Sequence, residues 1–281
     1  MDKAELENLL NFKVLEFKKT YKPPFAYISF KSDRNKCFFM KYSKEPTNMF
    51  ICEKHGLDEF AQVRDLKIPE VLLANNYCIV MDAMNLSYET LGLDRLVKSL
   101  RLLHNVQDKE FGFYEDNFIG QSTQSNTKRT KNWGEFFWVS RLLYKFDQLN
   151  EKESLTSEFK SEFLKLETVI YRVLGEVKAE PRLVHGDLWS GNLLPLKGGA
   201  ISFVDPAVYY GHFEVDLAMT QLFGGVGDVY SFYVAHYSLD AGWELRMKIY
   251  NLYHLLNHAV IFSGSYVQQS LYQIKQISTL A

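Results

Sequence analysis

The hydrophobic pattern divides the chain into a short strand-rich part and a longer helical part. Residues 25–32 and 36–43 alternate apolar and polar positions, as strands with one buried face do. Residues 46–66 instead repeat apolar positions at helical spacing, and residues 75–84 contain the short apolar run of a buried strand. The predicted order in this first part is therefore strand, strand, helix, strand.

From Ser87 onward helical patterns dominate. Apolar residues recur at helical spacing in four stretches, which are 88–106, 132–149, 157–177 and the segment from Trp243 to the C-terminal end. We therefore predict an α+β fold of two lobes. The small lobe, residues 1–84, is strand-rich with one main helix, and the larger lobe, residues 85–281, is mostly helical.

Two departures from helical spacing interrupt the larger lobe. Short apolar runs at 182–185 and 192–196 flank a polar loop, so the loop is predicted to lie at a strand edge. Residues 200–207 follow the second run through the turn K-G-G, whose glycines can adopt the positive φ of a hairpin. The polar stretch 120–132 predicts a surface loop.

Composition and charge narrow the classes of partner. The 281 residues are 47% hydrophobic, enough for a real core, and the formal net charge of −2 gives no basic footprint for nucleic acid or an anionic membrane. The N-terminal residues lack the features of a secretory signal, and no apolar run is long enough to cross a bilayer. The three cysteines are far apart, which argues against a disulfide framework. We expect a cytoplasmic protein.

The loop "LVHGDLWSGNLL", residues 183–194, carries the candidate chemistry. Asp187 and Asn192 are five residues apart in this loop, and Asp205 ends the next strand. Two carboxylates and an amide suit phosphoryl transfer, in which one Asp accepts the proton of a hydroxyl while the others hold Mg²⁺. The alternative is an ordinary turn, since Asp, Ser, Gly and Asn are turn formers. The full spacing H-G-D-x-x-x-x-N, followed by a strand that ends in Asp, favours the functional interpretation.

A phosphotransferase also needs a cation for the phosphates. Lys41 lies on the same face of its strand as Cys37 and Phe39, and Glu53 lies on the apolar stripe of the predicted helix. A carboxylate on such a stripe requires a cation, so we predict an ion pair that directs Lys41 at the α and β phosphates. The alternatives are a lysine at an exposed strand end and a glutamate that extends to water.

Several longer motifs resemble those of the fructosamine kinase (ketosamine-3-kinase) family, whose relatives include aminoglycoside phosphotransferases with a protein-kinase-like fold. They are "HGDLWSGN", "FVDPAVYYGHFEVDLAM" with "TQLFGG", "FGFYEDNFIGQSTQSN", "NWGEFF" and "LYHLLNHAVIFSGSY". The resemblance extends from about Lys41 to Tyr266. It implies a kinase that uses ATP to phosphorylate the sugar 3-hydroxyl of ketoamine adducts, including glycated protein lysines, after which the adduct breaks down and frees the amine.

The resemblance also implies roles for individual residues. Asp187 corresponds to the catalytic base, Asn192 and Asp205 to Mg²⁺ ligands, Lys41 to the phosphate-contacting lysine and Glu53 to its helix partner. The segment that resembles the adenine-binding hinge consists of Met81, Asp82, Ala83 and Met84. Trp189 lies on the acceptor side in this interpretation, where its ring suits the apolar face of a sugar; the alternative is a tryptophan that only packs in the lobe.

One segment departs from the family pattern. Relatives carry a glycine-rich turn between the first two strands, whereas residues 18–27 contain no glycine and have Pro23 next to Pro24. Glycines let backbone N–H groups approach phosphates, and each proline removes a donor. Lys19 or Lys22 could supply charge instead. Two alternatives therefore stay open: a kinase of another hydroxylated molecule, such as an aminoglycoside or an amino alcohol, and a nucleotide-binding regulator without catalysis.

Overall fold

The chain folds into two compact units, each with its own core. A computed structural model describes residues 1–88, 91–223, 225–236 and 239–281. The first unit comprises Met1–Glu89 and Leu194–Val204, and the second comprises Thr90–Leu193 and Asp205–Ala281. The α+β class predicted from the hydrophobic pattern is confirmed.

The first unit is built on an antiparallel sheet in the order β1-β2-β3-β5-β4. Its elements are α1 (Lys3–Leu10), β1 (Val14–Lys22), β2 (Phe25–Ser32), β3 (Cys37–Tyr42), α2 (Met49–Ala61), β4 (Val71–Ala74) and β5 (Cys78–Asp82). Side-chain alternation gives the sheet two apolar faces. Ile28, Phe30 and Met40 pack with Leu6 of α1, whereas Ile79 and Met81 pack with α2.

The predicted order of this unit omitted two strands. β1 is almost fully exposed and β4 has only four residues, so neither shows the apolar alternation that identifies a strand. Both are held at the edges by ladder hydrogen bonds to β2 and β5, which the pattern of apolar residues does not reveal.

Residues 194–204 belong to the first unit, although the sequence prediction assigned all of 85–281 to one lobe. The segment contains most of β9 (Leu193–Pro195) and all of β10 (Ile201–Phe203). Its backbone is tied to the end of the N-terminal segment, since the Ser87 N–H donates to the Pro195 carbonyl at 2.8 Å. Gly198 and Gly199 adopt φ of 86° and 84°, as predicted for the turn between these strands.

The second unit is mostly helical. Its elements are α3 (Leu93–His104), β6 (Asn117–Ile119), β7 (Ser122–Gln124), α4 (Trp133–Phe137), a π-helical segment (Trp138–Leu143), α5 (Tyr144–Lys152), α6 (Ser157–Gly175), β8 (Arg182–Val184), β11 (Tyr209–Gly211), α7 (Glu214–Met219), α8 (Val229–His236), α9 (Trp243–Phe262) and α10 (Ser265–Leu280). The predicted helical stretch 88–106 becomes α3, and Glu89 and Thr90 lie outside the described residues. Within the described ranges, no helix combines the length and apolar character needed to span a bilayer.

The prediction that residues 120–132 form a surface loop was wrong in its first half. Residues 122–124 form a strand, and Gln124, Ser125 and Asn126 are buried. Gln124 and Asn126 both donate to the Asn117 Oδ1, Gln124 also donates to the Ala207 carbonyl, and the buried Arg141 donates to the Ser125 carbonyl. Such partners make burial of polar residues possible.

Candidate active site

In the first unit, Lys41 is buried and forms an ion pair with Glu53. Met40 faces α1, so the next residue of β3 projects towards α2, where Glu53 lies one turn from Phe50. The Lys41 Nζ donates to both carboxylate oxygens, at 2.8 Å and 3.0 Å. The predicted pair is therefore present. A carboxylate that bonds to a buried lysine through both oxygens fixes the position of the ammonium group.

The four predicted hinge residues begin in β5 and continue past its end. Met81 is buried against α2, and the N–H groups of Asp82 and Ala83 donate to the carbonyls of Glu70 and Cys37. Asp82 also pairs with Lys36 at 2.9 Å. These contacts fix the backbone of the segment to its neighbouring strands.

The turn between β1 and β2 consists of Pro23 and Pro24 alone. The two strands pair up to Lys22 and Phe25, and the bond between the prolines is cis. The Lys19 Nζ donates to the Met1 carbonyl at 3.0 Å. The turn therefore offers no backbone N–H donor of its own.

In the second unit, Asp187 and Asn192 are in contact. The Asn192 Nδ2 donates to the Asp187 carbonyl at 2.8 Å and approaches its carboxylate at 3.4 Å. A short 3₁₀ turn, Ser190–Asn192, brings the amide back towards the aspartate. Because the amide nitrogen faces Asp187, its oxygen is the atom left to bind a cation.

Asp205 comes to the same part of this unit through strand pairing. β8 and β11 are antiparallel with Tyr209 opposite Val184, and the Ala207 N–H continues the ladder by donating to the His185 carbonyl at 2.9 Å. Asp205 lies two residues before Ala207. The antiparallel register therefore places it at the end of the ladder where the loop of Asp187 begins.

Asp216 orders the loop of Asp187 by accepting hydrogen bonds from its backbone. It is fully buried in α7 and accepts hydrogen bonds from the consecutive N–H groups of His185 and Gly186, at 2.8 Å and 2.9 Å, while its Oδ2 lies 3.0 Å from the His104 Nε2. These contacts tie the start of the loop to α7. The His185 Nδ1 in turn accepts from the Asp187 N–H at 3.2 Å, a contact within the loop that orders the backbone at Asp187.

The charge state of Asp187 follows from this environment. Burial raises the pKa of Asp187 to about 7, opposed by the hydrogen bond from Asn192 and supported by the negative charge of Asp216. A carboxyl with this pKa exchanges a proton readily near neutral pH.

Glycine is required at two positions of the loop. Gly186 has φ of 78°, and a Cβ there would lie 2.3 Å from the Ala207 carbonyl oxygen. At Gly191 a Cβ would lie 2.4 Å from the ring of Trp189, which therefore folds over its own loop and remains 38% exposed. An exposed indole held in one orientation can serve as a stacking surface.

The donor set fits a hard cation. Asn192 and Asp205 offer an amide and a carboxylate oxygen, the ligands that Mg²⁺ prefers. Among the described residues no three His, Cys, Asp or Glu side chains form a metal-binding group by themselves. Asn192 and Asp205 are the residues that would hold such a cation, and it would supply positive charge for the nucleotide phosphates.

Comparisons with known proteins agree with this chemistry. Residues 22–279 match the family model described as fructosamine kinase. The chain is similar to a Synechocystis protein named "Probable ketoamine kinase", with 34% identity over 87% of this chain and 84% of that protein. It is similar to the Arabidopsis thaliana protein-ribulosamine 3-kinase, with 32% identity over 82% of this chain and 72% of that protein.

Solved structures show the same fold. A fructosamine-3-kinase-like protein from Thermobifida fusca superposes with a TM-score of 0.87 at 23% identity, covering 99% of this chain and 98% of the other. Fold and site together define a kinase-like phosphotransferase that acts on a hydroxyl group. The chain belongs to the fructosamine kinase family.

Sequence reasoning missed the roles of several buried polar residues. The pattern of apolar positions does not reveal which polar residues are buried. It therefore did not indicate that His104 is the partner of Asp216, or that Asn117, Gln124 and Arg141 form one cluster. For Asn117 and Gln124 the available signal was the motif "DNFIGQSTQSN", which resembles the family. Its polar composition from residue 120 onward instead favoured the prediction of a surface loop.

Proposed function

We propose that this protein transfers the γ-phosphoryl group of ATP to the sugar 3-hydroxyl of a ketoamine, either a fructosamine or a ribulosamine. The observation that carries the proposal is the loop of Asp187, where the Asn192 amide donates to the Asp187 carbonyl and approaches its carboxylate, in a chain of the fructosamine kinase family. The names of the Synechocystis and Arabidopsis relatives support a ketoamine acceptor.

Each unit supplies part of the chemistry. In the first unit, Lys41, held by Glu53, binds the nucleotide phosphates, and the backbone of Met81, Asp82, Ala83 and Met84 binds adenine. In the second unit, Asp187 orients the acceptor hydroxyl and accepts its proton late in the transfer. Trp189 stacks against the sugar.

Asn192 and Asp205 are the residues that would hold Mg²⁺. When bound, the cation neutralises charge on the phosphates, which is the main electrostatic contribution to a loose phosphoryl-transfer transition state. Lys41 adds a second positive charge. Phosphorylation of the ketoamine then leads to breakdown of the adduct and release of the amine, so that a glycated protein lysine would be restored.

The test is an ATP-consumption assay with Mg²⁺ over ribulosamine, fructosamine, aminoglycoside and amino-alcohol acceptors. We expect turnover with the ketoamines. Asp187→Asn should lower kcat by about 10²–10⁴-fold, the usual contribution of a general base, and leave ATP affinity nearly unchanged. Asp228→Asn, at an exposed carboxylate in the same unit, is the matched control.

The outcomes separate the alternatives. Turnover restricted to aminoglycosides or amino alcohols would replace the ketoamine assignment, and tight ATP binding with no turnover on any acceptor would indicate a regulator. Normal turnover by Asp187→Asn would remove Asp187 from its role as base.

A further inference from the structure

A buried polar cluster lies behind the loop of Asp187 in the second unit. We call this cluster the hairpin brace. It consists of Asn117 in β6, Gln124 in β7, Asn126 two residues after β7, and Arg141 in the π-helical segment. None of these four side chains is more than 2% exposed. Buried amides are costly unless they are fully bonded, so the brace needs an explanation beyond packing.

The brace binds the backbone that follows Asp205. The Gln124 Nε2 donates to the Ala207 carbonyl at 3.0 Å, and the Asn117 Nδ2 donates to the Val208 carbonyl at 2.8 Å. Two side chains of one hairpin thus hold two consecutive carbonyls that lie more than 80 residues away in sequence.

Other contacts fix the orientation of both amides. The Asn117 Oδ1 accepts from Gln124 at 2.9 Å and from Asn126 at 2.8 Å, and the Gln124 Oε1 accepts from the Tyr253 hydroxyl at 2.6 Å. With their oxygens occupied, the two amides can direct only their nitrogens at the backbone.

Arg141 anchors the opposite side of the brace. Its guanidinium donates to the Asn126 Oδ1 at 2.7 Å and lies 3.9 Å from the ring centroid of Tyr209. The cation therefore connects the hairpin to β11, the strand that follows the held carbonyls.

The held segment is in direct contact with the loop of Asp187. The Ala207 N–H donates to the His185 carbonyl, and the Ala207 oxygen occupies the space where a side chain at Gly186 would begin. Asp205 has φ of 56°, which is unfavourable for a non-glycine residue and is further disfavoured before a proline. Such a conformation persists only where the surrounding structure holds it.

We propose that Asn117 and Gln124 are positioning residues for Asp205: by fixing the backbone at residues 207 and 208, they aim its carboxylate at the magnesium nucleotide. The inference rests on the proposed function, in which Asp205 is a metal ligand. Loss of a residue that orients a metal ligand typically lowers metal affinity or activity by about 10–100-fold.

Two variants and one control test the brace. Gln124→Met keeps an unbranched side chain of similar length and removes its hydrogen bonds, whereas Asn117→Asp keeps the shape and the acceptor oxygens but loses the donor to Val208. Thr123→Val, on the same strand, removes only contacts with the exposed side of α5, such as the hydroxyl of Tyr144 at 2.8 Å.

ATP affinity is measured by calorimetry with Mg²⁺ and again with EDTA, alongside kcat and the circular dichroism of each variant. We expect both brace variants to bind ATP in EDTA as the wild type does, and to lose about 10–100-fold of the affinity gained with Mg²⁺, with a similar fall in kcat. Thr123→Val should match the wild type in every measurement.

Three results would overturn the inference. Folded brace variants that retain the Mg²⁺-dependent gain would show that the brace does not position Asp205, and failure of both to fold would make the brace a requirement of the fold alone. A wild type whose ATP affinity does not depend on Mg²⁺ would instead refute the metal assignment of the proposed function, and this inference with it.

Discussion

Replacement of Asp216 by asparagine is the sharpest test of how the loop of Asp187 is held. The carboxylate accepts from the N–H groups of His185 and Gly186 and lies 3.0 Å from the ring nitrogen of His104, with no exposed surface. Asparagine has nearly the same shape but only one acceptor oxygen, so its NH₂ group must face at least one donor.

The magnitude follows from these contacts. A hydrogen bond to a charged acceptor contributes about 1.5–3 kcal/mol, and a buried donor left unpaired costs about 1–3 kcal/mol. Losing one bond and leaving one N–H unpaired predicts destabilisation by about 2.5–6 kcal/mol, a large part of the roughly 5–15 kcal/mol that stabilises a typical domain.

The loss should depend on pH. Burial alone raises the pKa of Asp216, but the hydrogen bond from His104 and the electrostatic interactions with His104 and His185, together with the hydrogen bond from the His185 backbone, lower it overall. Because the folded pKa is below the unfolded value, the carboxylate stabilises the protein above about pH 4 and loses this effect as the pH falls through the folded pKa. The difference between wild type and Asp216→Asn should therefore shrink below about pH 4.

The assay is urea unfolding followed by tryptophan fluorescence. All four tryptophans lie in the second unit, at residues 133, 138, 189 and 243, so the signal reports the unit that contains Asp216. Asp228→Asn, at an exposed helix start, is the control and should change stability by less than about 0.5 kcal/mol. Destabilisation by Asp216→Asn of under about 1 kcal/mol at pH 7 would refute the reasoning.

Two further predictions concern the same unit. Gly186→Ala should destabilise it by about 2–4 kcal/mol, because the Cβ would meet the Ala207 oxygen in a backbone conformation with positive φ. Gly242→Ala, in the same unit, has φ of 79° and would meet only the Arg246 guanidinium at an ordinary 3.7 Å, so it should cost only about 1–2 kcal/mol in urea unfolding; equal effects would contradict the steric argument. Burial is the main cause that lowers the pKa of His212 to about 3, and the positive charge of Arg246 is the second. Below about pH 6.5 the unfolded chain therefore binds a proton that the folded chain does not. This histidine should lower the free energy of unfolding by about 1.4 kcal/mol per pH unit as the pH falls from about 6 to 3, and an unchanged slope in His212→Asn would contradict the assignment.

Much of the candidate site could be predicted because its residues are close in sequence or lie on one predicted face. The spacing of Asp187 and Asn192 limits both to one loop, and they are in contact. The alternation of β3 and the helical stripe around Phe50 were enough to predict the pair of Lys41 and Glu53. In these cases the local geometry of the backbone fixes where the side chains can point.

Other parts of the fold had no local signal. The edge strands β1 and β4 lack apolar alternation, and their ladder hydrogen bonds are backbone contacts that any side chains allow. Residues 122–126 are polar and would suit a surface, yet most are buried because Arg141 and Lys145 supply donors from helices that follow in sequence.

The sequence by itself determined the α+β class, the spacing of Asp187 and Asn192 in their loop and the family to which the chain belongs, since all three depend on the order of residues along the chain. Tertiary structure alone decided which polar groups are buried: His104 meets Asp216 across 112 residues, and Gln124 meets the Ala207 carbonyl across 83. A polar side chain has no burial preference until its partners are in place, because an unpaired polar group is stable only in water.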